Sequence, residues 1–255
     1  MLTIGVADVP CISNFTDLDR LCAEDDVELV RISGLEDLLL DALILPGTKN
    51  TPQALRYIQD RGIDTMAHRV LADGGTVVGL CGGYQLLGRR VLDPHQIEST
   101  EKELKGLGLL DVETTFGTEK VTVQVTGIHR QSGSPIEGYE VHMGQTVRGA
   151  EVEPLFDIQN FAEVEGRPEG AVSGSGRVMG TYVHGVFDSS AFRRCFLNRL
   201  RNARGWSPLG PQPHTSLDRE LDRWAEHVAR HLNLAALETI IAGNGRPGGN
   251  SGIVG

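Results

Sequence analysis

Four short apolar runs dominate the first third of the chain: LTIGVA (2–7), VELVRI (27–32), DALILPG (41–47) and GTVVGL (75–80). Each is too short for a stable helix and rich in Val, Ile and Leu, so each reads as a strand buried on both faces. Helical stretches at 51–61 and 64–72 separate the last two. Strands joined by helices cannot pair as tight hairpins. They pair in parallel and need helices over both faces of the sheet.

From about residue 107 the pattern changes. KVTVQVTG (120–127) alternates β-branched and polar residues, and GYEVHMG (138–144), NFAEVEG (160–166), GAVS (170–173) and RVMGTYVHG (177–185) follow. These read as antiparallel or mixed strands closing the same sheet. In 215–235, Leu217, Leu221, Trp224, Val228 and Leu232 recur at helical spacing as one apolar stripe. Thr215 is placed to cap that helix, with Asp218 reaching back. The stretch 243–255 is Gly-rich and polar and is expected to be disordered.

The chain has 255 residues, with 24 Lys plus Arg against 34 Asp plus Glu, a net charge of −10. This acidic balance without a basic stripe argues against nucleic acid as a partner. No run approaches the roughly 20 apolar residues of a membrane span, and the first residues lack a basic leader. The four cysteines, Cys11, Cys22, Cys81 and Cys195, are scattered. They read as reduced thiols of a cytoplasmic protein, not as a disulfide frame or a zinc site.

The stretch GLCGGYQLLG (79–88) carries the chemistry. It places Cys81 between a buried strand and a helix, with glycines on both sides, in the G-x-nucleophile-x-G pattern of a sharp elbow. Gly79 and Gly83 let strand and helix approach. The N–H of Gly82 would face an oxyanion at the attacked carbon, and the helix N-terminus would favour a thiolate. A thiolate hydrolase also needs a base. His184 in GTYVHGVFD and His142 in YEVHMG both sit at strand ends, and the residues alone do not choose between them. His227 and His231 are four apart on the last helix, but no third metal ligand is evident. After the third strand, Pro46-Gly47 could supply a second oxyanion N–H from Gly47. GTKNT (47–51) lacks the full phosphate-loop pattern, and no ATP site is read there.

The ordered motifs LILPGTKNT, GLCGGYQLLGRRVLDP, GLGLLDVETTF, GYEVHMG and GTYVHGVFD together resemble the glutamine amidotransferase domain of cobyric acid synthases. This is the cobalamin-pathway branch of the class I, cysteine-dependent glutaminases. ISNFTDLD (12–19) and LDRELDRWAEHVARHLNL (217–234) resemble that domain's two ends. The resemblance implies an α/β, flavodoxin-like fold with a mostly parallel sheet, helices on its flanks and extra antiparallel strands in the second half. It implies a domain over residues 1–242. Cys81 then corresponds to the nucleophile and His184 to the base, with Gly47 and Gly82 as oxyanion-hole glycines and Gln85 as a holder of substrate glutamine. It implies no cofactor in this chain. ATP and Mg²⁺ belong to a P-loop corrinoid synthetase domain or subunit, which receives the ammonia and is absent here.

Many class I glutaminases place a Glu two residues after the histidine. Here that position is Val186, which leaves Asp188, Glu140 or a partner's group to orient His184. Two other readings share the fold: a glutaminase subunit serving another ligase, such as a lipid II isoglutaminyl synthase, and a non-catalytic interaction module.

Overall fold

The computed structural model describes residues 1–160, 165–210 and 217–233. In chain order the strands are β1 (Leu2–Ala7), β2 (Val27–Ile32), β3 (Ala42–Leu45), β4 (Thr76–Leu80), β5 (Arg90–Leu92), β6 (Glu103–Lys105) and β7 (Val112–His129), then β8 (Pro135–Arg148), β9 (Val152–Glu153), β10 (Phe156–Asn160), β11 (Arg167–Glu169), β12 (Ala171–Ser173), β13 (Val178–Thr181) and β14 (Val183–His184). The helices are α1 (Asp19–Cys22), α2 (Thr51–Asp60), α3 (Ile63–Ala72), α4 (Gly82–Leu87), α5 (Ser190–Ala203) and α6 (Leu217–His231).

The four apolar runs form the expected parallel strands. The first sheet runs β2-β1-β3-β4-β13, all parallel, and continues antiparallel through β12 and β9. Every residue of β3 and β4 is buried, as a strand covered on both faces requires. Leu43, Leu45 and Val77 pack with α2 and α3 through Leu55, Ile58 and Met66. Ala42, Ile44, Val78 and Leu80 pack on the opposite face with Phe192, Phe196 and Leu200 of α5. Among the described residues no helix is long and apolar enough to cross a membrane.

The second half departs from expectation. Only β9, β12 and β13 join the first sheet; β5–β8, β10, β11 and β14 build a second one. The reason lies in β7 and β8. Much of β7 alternates between more and less exposed positions, so it presents a solvated side that a doubly covered sheet cannot accept. The run 177–185 also divides. β13 pairs in parallel with β4, whereas β14 pairs antiparallel with β8. The break falls at Tyr182, whose N–H donates to the buried Glu169 carboxylate at 2.7 Å, while Thr181 Oγ1 donates to the same group at 2.7 Å.

Residues Met1–Gln212 form one compact unit, and the helix α6 belongs to a second. On α6, Leu221, Trp224 and Val228 are exposed, as is Leu232 just past its end. The expected Thr215 cap and the tail 243–255 lie outside the described residues.

The turn from β4 into α4 is as tight as the glycines suggested. A Cβ at Gly79 would lie 2.6 Å from the Gly83 oxygen, and one at Gly83 would collide with the Leu45 oxygen. Cys81 between them holds φ 50° and ψ −107°, a region that costs a side-chain-bearing residue about 1–3 kcal/mol. Glycine is normally the weaker residue by about 0.5–1 kcal/mol relative to alanine within a strand or helix. Here the order should invert: Cys81→Gly is expected to unfold at higher urea than Cys81→Ala, by about 1 kcal/mol. Equal midpoints, or a lower one for the glycine variant, would show that the elbow stores no strain.

Candidate active site

Four neighbouring strands, β1, β3, β4 and β13, run in parallel and release the chain at one edge of the sheet. Such an edge is where ligands sit in open α/β sheets. The turn after β3 carries Gly47, the turn after β4 carries Cys81, and His184 follows β13. The loop after β1 is stitched to the β3 turn: Ser13 N–H donates to Gly47 O at 2.9 Å and Lys49 N–H to Cys11 O at 3.0 Å. The elbow is tied to β13 by Cys81 N–H donating to Thr181 O at 2.8 Å.

His184 is 1% exposed. Its Nδ1 lies 2.8 Å from Asp17 Oδ2, and the Asn14 amide nitrogen lies 3.0 Å from each ring nitrogen. Tyr139 stacks on the ring with centroids 5.3 Å apart. Cys81 lies near enough to the ring to act on its charge. Burial pulls the imidazole pKa down, but the hydrogen bonds and charges of Asp17 and Cys81 outweigh it and raise it to about 9. His184 is therefore an imidazolium at neutral pH, the partner that stabilises a thiolate.

The two glycines proposed for the oxyanion site come together beside this pair. A Cβ on Gly47 would stand 3.5 Å from His184 Cε1, and one on Gly82 would stand 3.0 Å from Thr48 N. The Cys81 Sγ lies 3.6 Å from Val141 O of β8. The thiol thus sits between the β3 turn, the histidine and one strand of the second sheet.

Gln85 is buried beneath the elbow. Its Oε1 accepts from Thr51 Oγ1 at 2.9 Å and its Nε2 donates to Tyr182 Oη at 3.3 Å. His142, the other strand-end histidine, is turned to different neighbours. It stacks on Tyr182 at 3.9 Å, its Nδ1 lies 2.8 Å from Gly144 O and its Nε2 3.7 Å from Glu140.

The candidates for orienting His184 need correction. Glu140 points to His142 and Arg167, because its strand neighbour opposite is Val183 and not His184. Asp188 faces Arg20 at 3.8 Å and its side chain is 58% exposed. The carboxylate on the ring is Asp17, which sequence reasoning missed although ISNFTDLD was singled out. The signal was available: this polar loop leaves β1 at the same edge as the elbow.

The remaining motifs do not build further sites. At the start of α2 the backbone donors are already engaged, Thr51 N–H by Glu98 at 3.0 Å and Gln53 N–H by Asn50 at 2.9 Å, so GTKNT does not fit a phosphate. Among the described residues no three His, Cys, Asp or Glu side chains converge as metal ligands. His231 Nδ1 bonds the His227 carbonyl instead, at 2.7 Å. A groove of about 600 Å³ lies beside β1 and β2, lined by Val9, Ile12, Phe15 and Leu18 among others, and it includes neither Cys81 nor His184.

The sequence profile of the CobB/CobQ-like glutamine amidotransferase domain matches residues 3–192. The cobyric acid synthase of Clostridium botulinum (strain Loch Maree / Type A3) is 40% identical over 245 residues, covering 94% of this chain and 50% of that protein. The cobyric acid synthase of Syntrophobacter fumaroxidans is 38% identical over 256 residues, covering 94% and 49%. This chain thus spans about half the length of the curated relatives it matches. Among solved structures, PurLQS from Thermotoga maritima aligns with a TM-score of 0.55 at 20% identity, covering 78% of this chain and 99% of that one. A glutamine amidotransferase crystal structure aligns with a TM-score of 0.53 at 18% identity, covering 78% and 98%. At those identities the structural likeness establishes the fold. With the profile match and the curated relatives, the chain belongs to the CobB/CobQ-like glutamine amidotransferase domain family.

Proposed function

We propose that this chain is the glutaminase half of a cobyric acid synthase, with Cys81 as nucleophile and His184 as acid and base. The observation that carries the reading is the meeting of a strained, glycine-flanked thiol with a buried, carboxylate-bonded histidine at the edge where four parallel strands end.

The chemistry follows from the charges. The Cys81 thiolate attacks the side-chain amide carbon of glutamine, and the carbonyl electrons move onto oxygen. The N–H groups of Gly47 and Gly82 serve that oxyanion. As the intermediate collapses, the C–N bond breaks and the His184 imidazolium gives its proton to the leaving nitrogen, releasing ammonia. A γ-glutamyl thioester remains on Cys81. Neutral His184 then takes a proton from water, the hydroxide displaces the thiolate, and glutamate leaves with His184 recharged. Gln85 keeps a second N–H and a second oxygen lone pair beyond its bonds to Thr51 and Tyr182. We assign that capacity to the bound glutamine.

The ammonia passes to a P-loop synthetase domain or subunit, where ATP and Mg²⁺ activate carboxylates of adenosylcobyrinic acid a,c-diamide. The curated relatives named above are cobyric acid synthases, which favours a corrinoid acceptor over a muropeptide. Those relatives are about twice as long as this chain, and we assign the synthetase to the half that this chain does not match.

Two outcomes test this. The glutamine analogue 6-diazo-5-oxo-L-norleucine is expected to label Cys81, as read by peptide mass, and to leave Cys81→Ala unlabelled. Paired with a synthetase half, Cys81→Ala should lose amidation from glutamine but keep it from added ammonia. Loss of both together would count against the role. The second outcome concerns pH. His184 is raised from 6.5 to about 9 on folding, so its stabilising contribution is complete below about pH 6.5 and is lost as pH climbs through about 9. Urea midpoints of the unmodified protein should fall across that window more steeply than those of His184→Gln. Parallel profiles would show that His184 is not charged in the folded state.

A further inference from the structure

The His184 ring is held by a segment distant in sequence. Asp17 is 5% exposed and grips the histidine turn with both oxygens: Oδ2 on His184 Nδ1 at 2.8 Å, and Oδ1 accepting the Gly185 N–H at 2.9 Å. Gripping ring and backbone together fixes the ring relative to its own main chain. A carboxylate only accepts, so Nδ1 must carry a proton; the Asn14 amide nitrogen, 3.0 Å from both ring nitrogens, lies along the lone-pair axis of neither and leaves Nε2 for the reaction.

The segment that carries Asp17 is itself anchored. Asp17 N–H donates to Asn14 O at 3.1 Å. Farther along, Glu24 binds Arg193 at 2.7 Å and also Arg194. Arg193 is fully buried and donates to the carbonyls of Phe187 and Asp188, in the turn that follows His184. One guanidinium therefore joins the Asp17 segment to the histidine turn from below.

We propose that Asp17 is the positioning residue of this site, holding His184 with Nδ1 protonated and Nε2 available to Cys81, and that the Glu24–Arg193 pair braces it there. The proposal rests on the reading of Cys81 and His184 as the reacting pair. It supplies the carboxylate that Val186 cannot, from the loop after β1 instead of the turn after the histidine. The titratable and charged groups around the ring are Asp17 from that loop, Cys81 from the elbow, Tyr139 from β8, and Asp188 with Arg20 beyond Gly185. Of the carboxylates, Asp17 is bonded to the ring.

The test has two parts. In the unmodified protein, ¹⁵N imidazole spectra across the pH range should show Nδ1 of His184 protonated throughout, with only Nε2 titrating. An Nε2–H tautomer, or titration at Nδ1, overturns the proposal without any variant. In Asp17→Asn the size and the Gly185 acceptor are kept, but an amide N–H can face Nδ1 and force the wrong tautomer. The His184 midpoint should fall by about one pH unit or more, and iodoacetamide alkylation of Cys81 at pH 7, followed on its peptide, should slow about tenfold or more. Glutaminase kcat should drop about 10²–10⁴-fold with KM little changed. Asp188→Asn should alkylate at the unmodified rate. An Asp17→Asn protein whose His184 titration and Cys81 alkylation stay within about twofold of the unmodified protein overturns the proposal. Failure of the glutamine analogue to label Cys81 in the unmodified protein would instead sink the reacting pair, and the titration of His184 against Asp17 would still be read independently.

Discussion

The close approach of α4 to the strands beneath it is the constraint on which the site depends. A helix that starts directly after a buried strand must rest on that strand and its neighbour, and here there is room for hydrogens only. Gly79 meets the backbone of Gly83, and Gly83 meets that of Leu45. The approach throws Cys81 into a backbone conformation that few side-chain-bearing residues adopt. It also aims the thiol outward at the edge where β1, β3 and β13 end. The surrounding packing over-determines the turn, with Cys81 N–H bonded to Thr181 O at 2.8 Å and Gln85 N–H to Cys81 O at 3.2 Å, and this holds the strain in place.

The second requirement is a charged histidine in a buried place. Burial opposes the imidazolium, and a histidine so enclosed would be neutral without compensation. Asp17 and Cys81 reverse that balance. The carboxylate and the thiol, brought from the loop after β1 and the elbow after β4, thus hold the charge of an imidazole at the end of β14. The long hairpin of β7 and β8 completes the enclosure by laying Tyr139 opposite His184 and the Val141 carbonyl against the thiol.

Much of this was legible in the sequence, for specific reasons. The four apolar runs identified the parallel strands because strands buried on both faces leave little alternative. Cys81 was legible because a cysteine in a core has no need of three glycines around it. The separate second sheet was not, because alternation in β7 reveals a solvated side without saying which strands it pairs with. The run 177–185 looked continuous because its hydrophobicity is continuous; only the Glu169 carboxylate, drawing off the Tyr182 N–H, shows where it changes sheets. His142 and His184 were equivalent by position, and only the resemblance to known glutaminases separated them. Asp17 escaped because it lies ten residues beyond β1, in a polar loop with no regular pattern. Strand order would have exposed it: β1 lies between β2 and β3, so its loop opens at the switch point where ligands gather.

The central claim is that Cys81 becomes acylated by glutamine. The most direct measurement is acid quench during turnover with glutamine, alone and with the ATP-loaded synthetase half of a relative, followed by peptide mass mapping. The account expects a γ-glutamyl group on the Cys81 peptide in at least one condition, absent in Cys81→Ala. No adduct in either condition, or an adduct on Cys11, Cys22 or Cys195 in its place, would contradict it.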